Sequence, residues 1–201
     1  MSVKVELMPD PVRRGLASHG GITCEQGALV TVDRETLAGI WTPSTLELLA
    51  RFYWRYIERR TFGLIRVRYT GESQTVALFG RLPLLRFRAP EFATGEERAS
   101  VTWPIDRGLL VSGDGRGQGF LRIAALRSEN RDEDFTTIRV SSTVSNFYPW
   151  IRGSGRFARL GTWLYSQTQL RVHIAVTRGF LSSLEEIPDE VLRRGVTPGS
   201  V

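Results

Sequence analysis

The chain has 201 residues, 41% of them hydrophobic and 24% charged, with 20 Gly and 9 Pro. That is a globular composition, and it excludes a disordered chain, a collagen and a disulfide-stapled miniprotein. The net charge of +6 rests on 27 basic residues; Lys4 is the only lysine, so 26 are arginines.

A skew that strong reflects a GC-rich coding habit before it reflects a binding face. The arginines are interleaved with carboxylates, without a run of five like charges. A solvated surface is therefore favoured over a nucleic-acid face. The most basic stretch is 51–90, with nine Arg against Glu58 and Glu72. Cys24 is the single cysteine, which excludes an intramolecular disulfide and suits a reducing, cytoplasmic setting. No segment approaches the roughly 18 apolar residues of a membrane span. A chain this long buries one core without staples. The expected organisation is a loose lead-in over 1–21, one domain over 22–187 and a tail over 188–201.

In chain order, Ile22 to Val32 carries a strand signal and residues 34–40 a short helix. Thr42 followed by Pro43 is a helix start, a capping hydroxyl with proline at the first position. Leu46, Leu49, Tyr53 and Ile57 then form one helical stripe and Arg51, Arg55 and Arg59 another, so a helix is expected to near Arg60. After Gly63 the period becomes two. Strands are expected over 64–69, 75–79, 82–87, 100–104, 108–112, 119–126 and 135–145, with a turn at Pro104 to Gly108. A long helix is expected over about 159–186, weakened by Gly161 and Gly179 and ended by Pro188.

The Gly113 to Gly119 segment has the glycines of a phosphate cradle but neither the dinucleotide nor the Walker spacing, and a strand follows it. A hairpin loop is the better reading. No nucleophile elbow surrounds Ser112 or Ser154. His19, His173 and Cys24 are too few and too scattered for a metal site, so neither a metal nor a cofactor is expected. His173 lies near the apolar stripe of the last helix, as a core-edge residue or as a polar group aimed into a cavity. The aromatic clusters 52–54, 147–150 and 163–165 read first as core.

The order of a strand, helical segments, an antiparallel run and a final helix resembles the START-like superfamily of polyketide cyclases and lipid-transfer domains. The resemblance is carried by Gly119-Phe120-Leu121-Arg122-Ile123, by Thr137-Ile138-Arg139-Val140 running to Pro149, and by the helix around His173 to Leu184. It implies an α+β helix-grip fold, in which six to eight curved antiparallel strands grip a long C-terminal helix. It also implies a cavity between that sheet and helix, with Trp103, Arg122, Arg139, Trp150, Gln167, Leu170 and His173 as candidate lining residues. The implied function is binding of a hydrophobic or lipid-like small molecule. The alternatives are a cyclase- or hydrolase-like enzyme using the same cavity, and an Arg-rich surface that binds nucleic acid or an anionic partner.

Overall fold

The computed structural model describes residues 3–9, 15–16, 22–71, 73–109, 111, 116–128, 134–147 and 178–186. Among these, ten strands form one antiparallel sheet, with two α-helices packed on it. The strands β1 (Lys4–Leu7), β2 (Gly15–Leu16) and β3 (Ile22–Asp33) come first, followed by helices α1 (Arg34–Ile40) and α2 (Pro43–Arg60). Strands β4 (Ile65–Thr70), β5 (Ser73–Leu78), β6 (Leu82–Arg88) and β7 (Glu91–Thr94) follow, then β8 (Arg98–Arg107), β9 (Gly119–Arg127) and β10 (Phe135–Phe147). The order across the sheet is β1-β3-β10-β9-β8-β6-β5-β4, with β2 on β3 and β7 on β8. The chain thus lays down β3, crosses by two helices to the far edge, and returns strand by strand until β10 pairs with β3.

Both helices start where their caps place them. The Asp33 carboxylate accepts from the Thr36 N–H at 2.8 Å, and hydrogen bonding from the Thr36 hydroxyl first and this N–H second holds its carboxyl below the usual carboxylate range. The Thr42 hydroxyl accepts from the Thr45 N–H at 3.2 Å, with Pro43 at the first helical position. Helix α2 buries Leu46, Ala50, Tyr53 and Trp54 on the sheet, while Arg51, Arg55 and Arg59 face solvent. At the sheet edge, the Val67 N–H of β4 donates to the Glu58 carboxylate of α2 at 2.8 Å, which covers one edge amide.

Alternation fixes the faces. The inner face carries Ala28, Val30 and Val32 of β3, Ala99, Val101 and Trp103 of β8, Leu121 and Ile123 of β9, and Ile138 and Val140 of β10, all buried. Under the middle of α2 this face is filled with rings. Trp103 stacks on Tyr53 at 6.1 Å between centroids and meets Trp54 edge-on at 5.3 Å. Trp54 touches Phe87 at 5.4 Å, and Phe180 meets Tyr53 edge-on at 5.0 Å. Such pairs contribute about 0.5–1.5 kcal/mol each beyond their buried area. Phe180 belongs to a helical turn, residues 178–182, that continues into a 3-10 turn at Ser183–Glu186. Gly179 lets that turn approach α2, because a Cβ there would collide with the Tyr56 hydroxyl.

Several expectations change. The lead-in is not loose throughout: Lys4–Leu7 pairs with Thr31 to Ala28 of β3, and Gly15–Leu16 pairs with Thr23 and Ile22. Pro104 is not a turn but stays inside β8. On one side of β8, residues 99–102 pair with β7, while 105 and 107 pair with β6. Pro104 falls at the break between those partners, a position that tolerates a missing N–H. Residues 108, 109 and 111, expected as a strand, form none. The strand β7 was not anticipated, and ten strands replace the expected six to eight. Strands β8 and β9 pair antiparallel from Arg98↔Leu126 to Ile105↔Gly119, so the glycine-rich segment between them is a hairpin connection. Of the expected long C-terminal helix, 178–182 is helical, and residues 159–177 lie outside the described residues.

Candidate functional site

Beside the ring-filled region, the space between the helices and the sheet is not filled. A cleft of about 150 Å³ opens there. Its floor is Val30, Val32, Ala99, Ala125, Ile138 and Val140 of the sheet. Its walls are Leu37, Ile40 and Trp41 of α1 and its end, Leu46 and Leu49 of the N-terminal half of α2 and Phe52 at its middle, with Val3 and Leu184 on the remaining sides. The cause is side-chain size. On β8, one face runs from Ala99 to Trp103; the tryptophan end reaches α2 and the alanine end does not. Ala125 repeats the deficit on β9, where it pairs with Ala99.

The lining is almost wholly apolar. Its two hydroxyls, Thr42 and Thr45, stand 3.0 Å apart and serve the start of α2, so neither is left as an unpaired group in the wall. No charged side chain is part of the lining, and the cation beside it is reached through a wall residue. Arg127 is two residues beyond Ala125 on the same face of β9, and its guanidinium lies 4.4 Å from the Trp41 ring centroid. The Trp41 indole N–H donates to the Gly95 carbonyl at 2.8 Å, which fixes the ring under that cation. The Arg127 Nε is buried without a hydrogen-bond partner among the described residues. A cation stacked on Trp41, a wall residue of an apolar cleft, is suited to an acidic group that reaches past that ring on an otherwise apolar molecule.

A second polar feature lies further along the same strands. Gln26 and Ser142 are cross-strand partners on the inner face of β3 and β10, both buried. The Gln26 carboxamide has no hydrogen-bond partner among the described residues, and the Ser142 hydroxyl has only the Tyr53 phenol beside it. Burial pushes the Tyr53 phenol far above its ordinary value, and the Ser142 hydroxyl beside it acts weakly in the other direction. Tyr53 is therefore a neutral donor at any physiological pH. No group of three His, Cys, Asp or Glu able to hold a metal occurs among the described residues.

The structure does not gather the candidate lining residues named from the sequence. Trp103 is on the inner face but is 1% exposed and part of the ring core, outside the cleft lining. Arg122 and Arg139 are on the opposite face, a correction set by strand parity: Leu121 and Ile123 flank Arg122, and Ile138 and Val140 flank Arg139, all facing inward. Arg122 instead donates to the Thr102 hydroxyl at 2.9 Å, and Arg139 pairs with Glu25 at 3.4 Å on the exposed side. Trp150, Gln167, Leu170 and His173 lie outside the described residues. Arg127 falls one residue past the strand expected over 119–126; the alternation Leu121, Ile123, Ala125 carried one step further is the signal that places it inward.

No family model and no curated protein matches the chain. Similar solved structures include truncated norcoclaurine synthase from Thalictrum flavum, at 12% identity and a TM-score of 0.35, covering 82% of this chain and 94% of that one. Norcoclaurine synthase from the same plant, in complex with dopamine and hydroxybenzaldehyde, matches at 14% identity and a TM-score of 0.33, over 82% of this chain and 87% of that one. CalU16 from Micromonospora echinospora matches at 8% identity and a TM-score of 0.25, over 98% of this chain and 94% of that one. All are distant likenesses, and the fold rests on the strand pairing itself. Among the described residues, no helix is long and apolar enough to cross a membrane.

Proposed function

We propose that this protein binds a small apolar molecule in the cleft between its helices and sheet, and that the molecule carries an acidic group facing Arg127. The observation that carries the reading is the cleft itself: about 150 Å³ of space whose walls are apolar side chains. A hollow of that size and lining accepts a ring or a short acyl segment. The strand order, with β3 closed against the returning β10, supports the helix-grip, START-like reading of the fold, as does the helical turn at 178–182.

Native mass spectrometry before and after organic-solvent extraction tests it. A discrete added mass that extraction removes, and that Leu49→Trp prevents, is the expected result. Absence of any added mass, together with no saturable uptake of 4-phenylbutanoate by the extracted protein, would count against a ligand cleft.

A further inference from the structure

We propose that two adjacent Phe-Gly turns at the C-terminal end of α2 form a tip that docks on an anionic lipid surface. The first turn is Phe62-Gly63, with φ of 51° and 74°; the second is Phe79-Gly80, with φ of 51° and 68°. Each is closed by a bond across the turn: the Leu64 N–H to the Thr61 carbonyl at 2.9 Å, and the Arg81 N–H to the Leu78 carbonyl at 3.1 Å. The Phe79 N–H donates to the Leu64 carbonyl at 2.7 Å, so the two turns form one structure. Left-handed backbone suits Gly, Asn or Asp, and a bulky aromatic there is strained. Packing does not repay that strain, because Phe62 is 95% exposed and Phe79 67%. Leu64 and Leu82 beside them are 46% and 47% exposed.

The charge around these side chains has one sign. Arg66 lies between the turns: a Cβ on Gly63 would stand 3.3 Å from its Nη2, and one on Gly80 would stand 3.7 Å from its Cγ. Arg59, Arg66 and Arg81 are exposed and form no ion pair with a described residue. No Asp or Glu occurs in 59–66 or 78–88, and the Glu58 carboxylate is engaged by the Val67 N–H. Apolar side chains ringed by guanidinium groups match a lipid surface: the rings and leucines enter the headgroup–acyl boundary and the cations hold lipid phosphates. A single-stranded nucleic acid fits less well, since half the apolar side chains are leucines, which give bases no stacking face. A second copy of the tip would bring arginines against arginines. The cleft is at the other end of α2; Leu49 and Phe62 are thirteen residues apart, about 20 Å of helix. The tip therefore stands independently of what the cleft holds.

Co-sedimentation with vesicles tests the proposal. The native chain is expected to bind phosphatidylcholine–phosphatidylglycerol vesicles at low salt, less at high salt, and pure phosphatidylcholine weakly. The Phe62→Asn/Phe79→Asn variant should lose at least roughly tenfold in partitioning. Its Tm should be unchanged or higher, because asparagine tolerates the left-handed region. Arg66→Gln and Arg81→Gln should each cost roughly fivefold. Three results overturn the proposal: no vesicle binding by the native chain, equal binding to neutral vesicles, or binding retained in the double asparagine variant. Binding of a single-stranded oligonucleotide, or self-association, that the double variant abolishes while vesicles are ignored would overturn it in favour of that partner.

Discussion

The two halves of α2 cover the same sheet and meet opposite conditions. Over the C-terminal half the gap is closed by Tyr53, Trp54, Trp103, Phe87 and Phe180. Over the N-terminal half the sheet offers Ala99, Ala125 and valines, and the gap stays open. Both halves are apolar, so hydrophobicity does not separate a core from a ligand site here. Side-chain volume does: a helix held at the distance that tryptophan requires leaves a hollow wherever the facing residue is alanine.

The largest effect should come from emptying the filled half. Trp103→Ala removes the ring that touches both Tyr53 and Trp54, and should destabilise the fold by about 3–5 kcal/mol, read by urea unfolding. Filling the open half with Ala125→Leu should leave stability nearly unchanged. If Ala125→Leu destabilises as strongly as overpacking a dense core, by about 1–3 kcal/mol, the two halves do not differ as described.

Next in size is the Arg127 effect. Arg127→Met should weaken binding of 4-phenylbutanoate roughly tenfold and leave 4-phenylbutanol nearly unaffected, a difference worth about 1.4 kcal/mol by calorimetric titration. Equal losses for both probes would make Arg127 a packing residue of the rim.

A smaller effect sharpens the filled half. Tyr53 holds its proton in the folded chain to a pH well above its ordinary value, because burial disfavours the phenolate. The unfolded chain releases that proton near pH 10. The stability Tyr53 contributes is thus fully present below about pH 10 and falls as pH rises through and beyond it, with a slope approaching roughly 1.4 kcal/mol per pH unit. Thermal unfolding between pH 9 and 11 should therefore show a steeper alkaline loss in the native chain than in Tyr53→Phe. Parallel curves would mean that the phenol is not sealed in the core.

Much of the fold was legible in the sequence because its signals are local. Asp33 and the Thr42-Pro43 pair set the helix starts, and the three-four-four spacing of Leu46, Leu49, Tyr53 and Ile57 set the face of α2. Strand β7 was missed because its four residues are all exposed and lie between Pro90 and Gly95, which leaves no alternation to detect. Pro104 misled for a tertiary reason: the change of partner along β8, from β7 to β6, cannot be read from the chain. The site was harder. The alternation that sets Arg139 opposite Ile138 and Val140 already points Arg139 outward, and the structure agrees. The cleft itself is defined by what is missing opposite α2. No local pattern announces that Ala99 and Ala125 are neighbours on one floor.

The most direct test of the difference between the two halves is isothermal titration of 4-phenylbutanoate into the solvent-extracted native chain and into Ala125→Leu, with Tm recorded for both. The account predicts saturable one-to-one binding in the native chain and its loss in Ala125→Leu at nearly equal Tm. Equal affinity in both proteins, or no saturable binding in either, would contradict it.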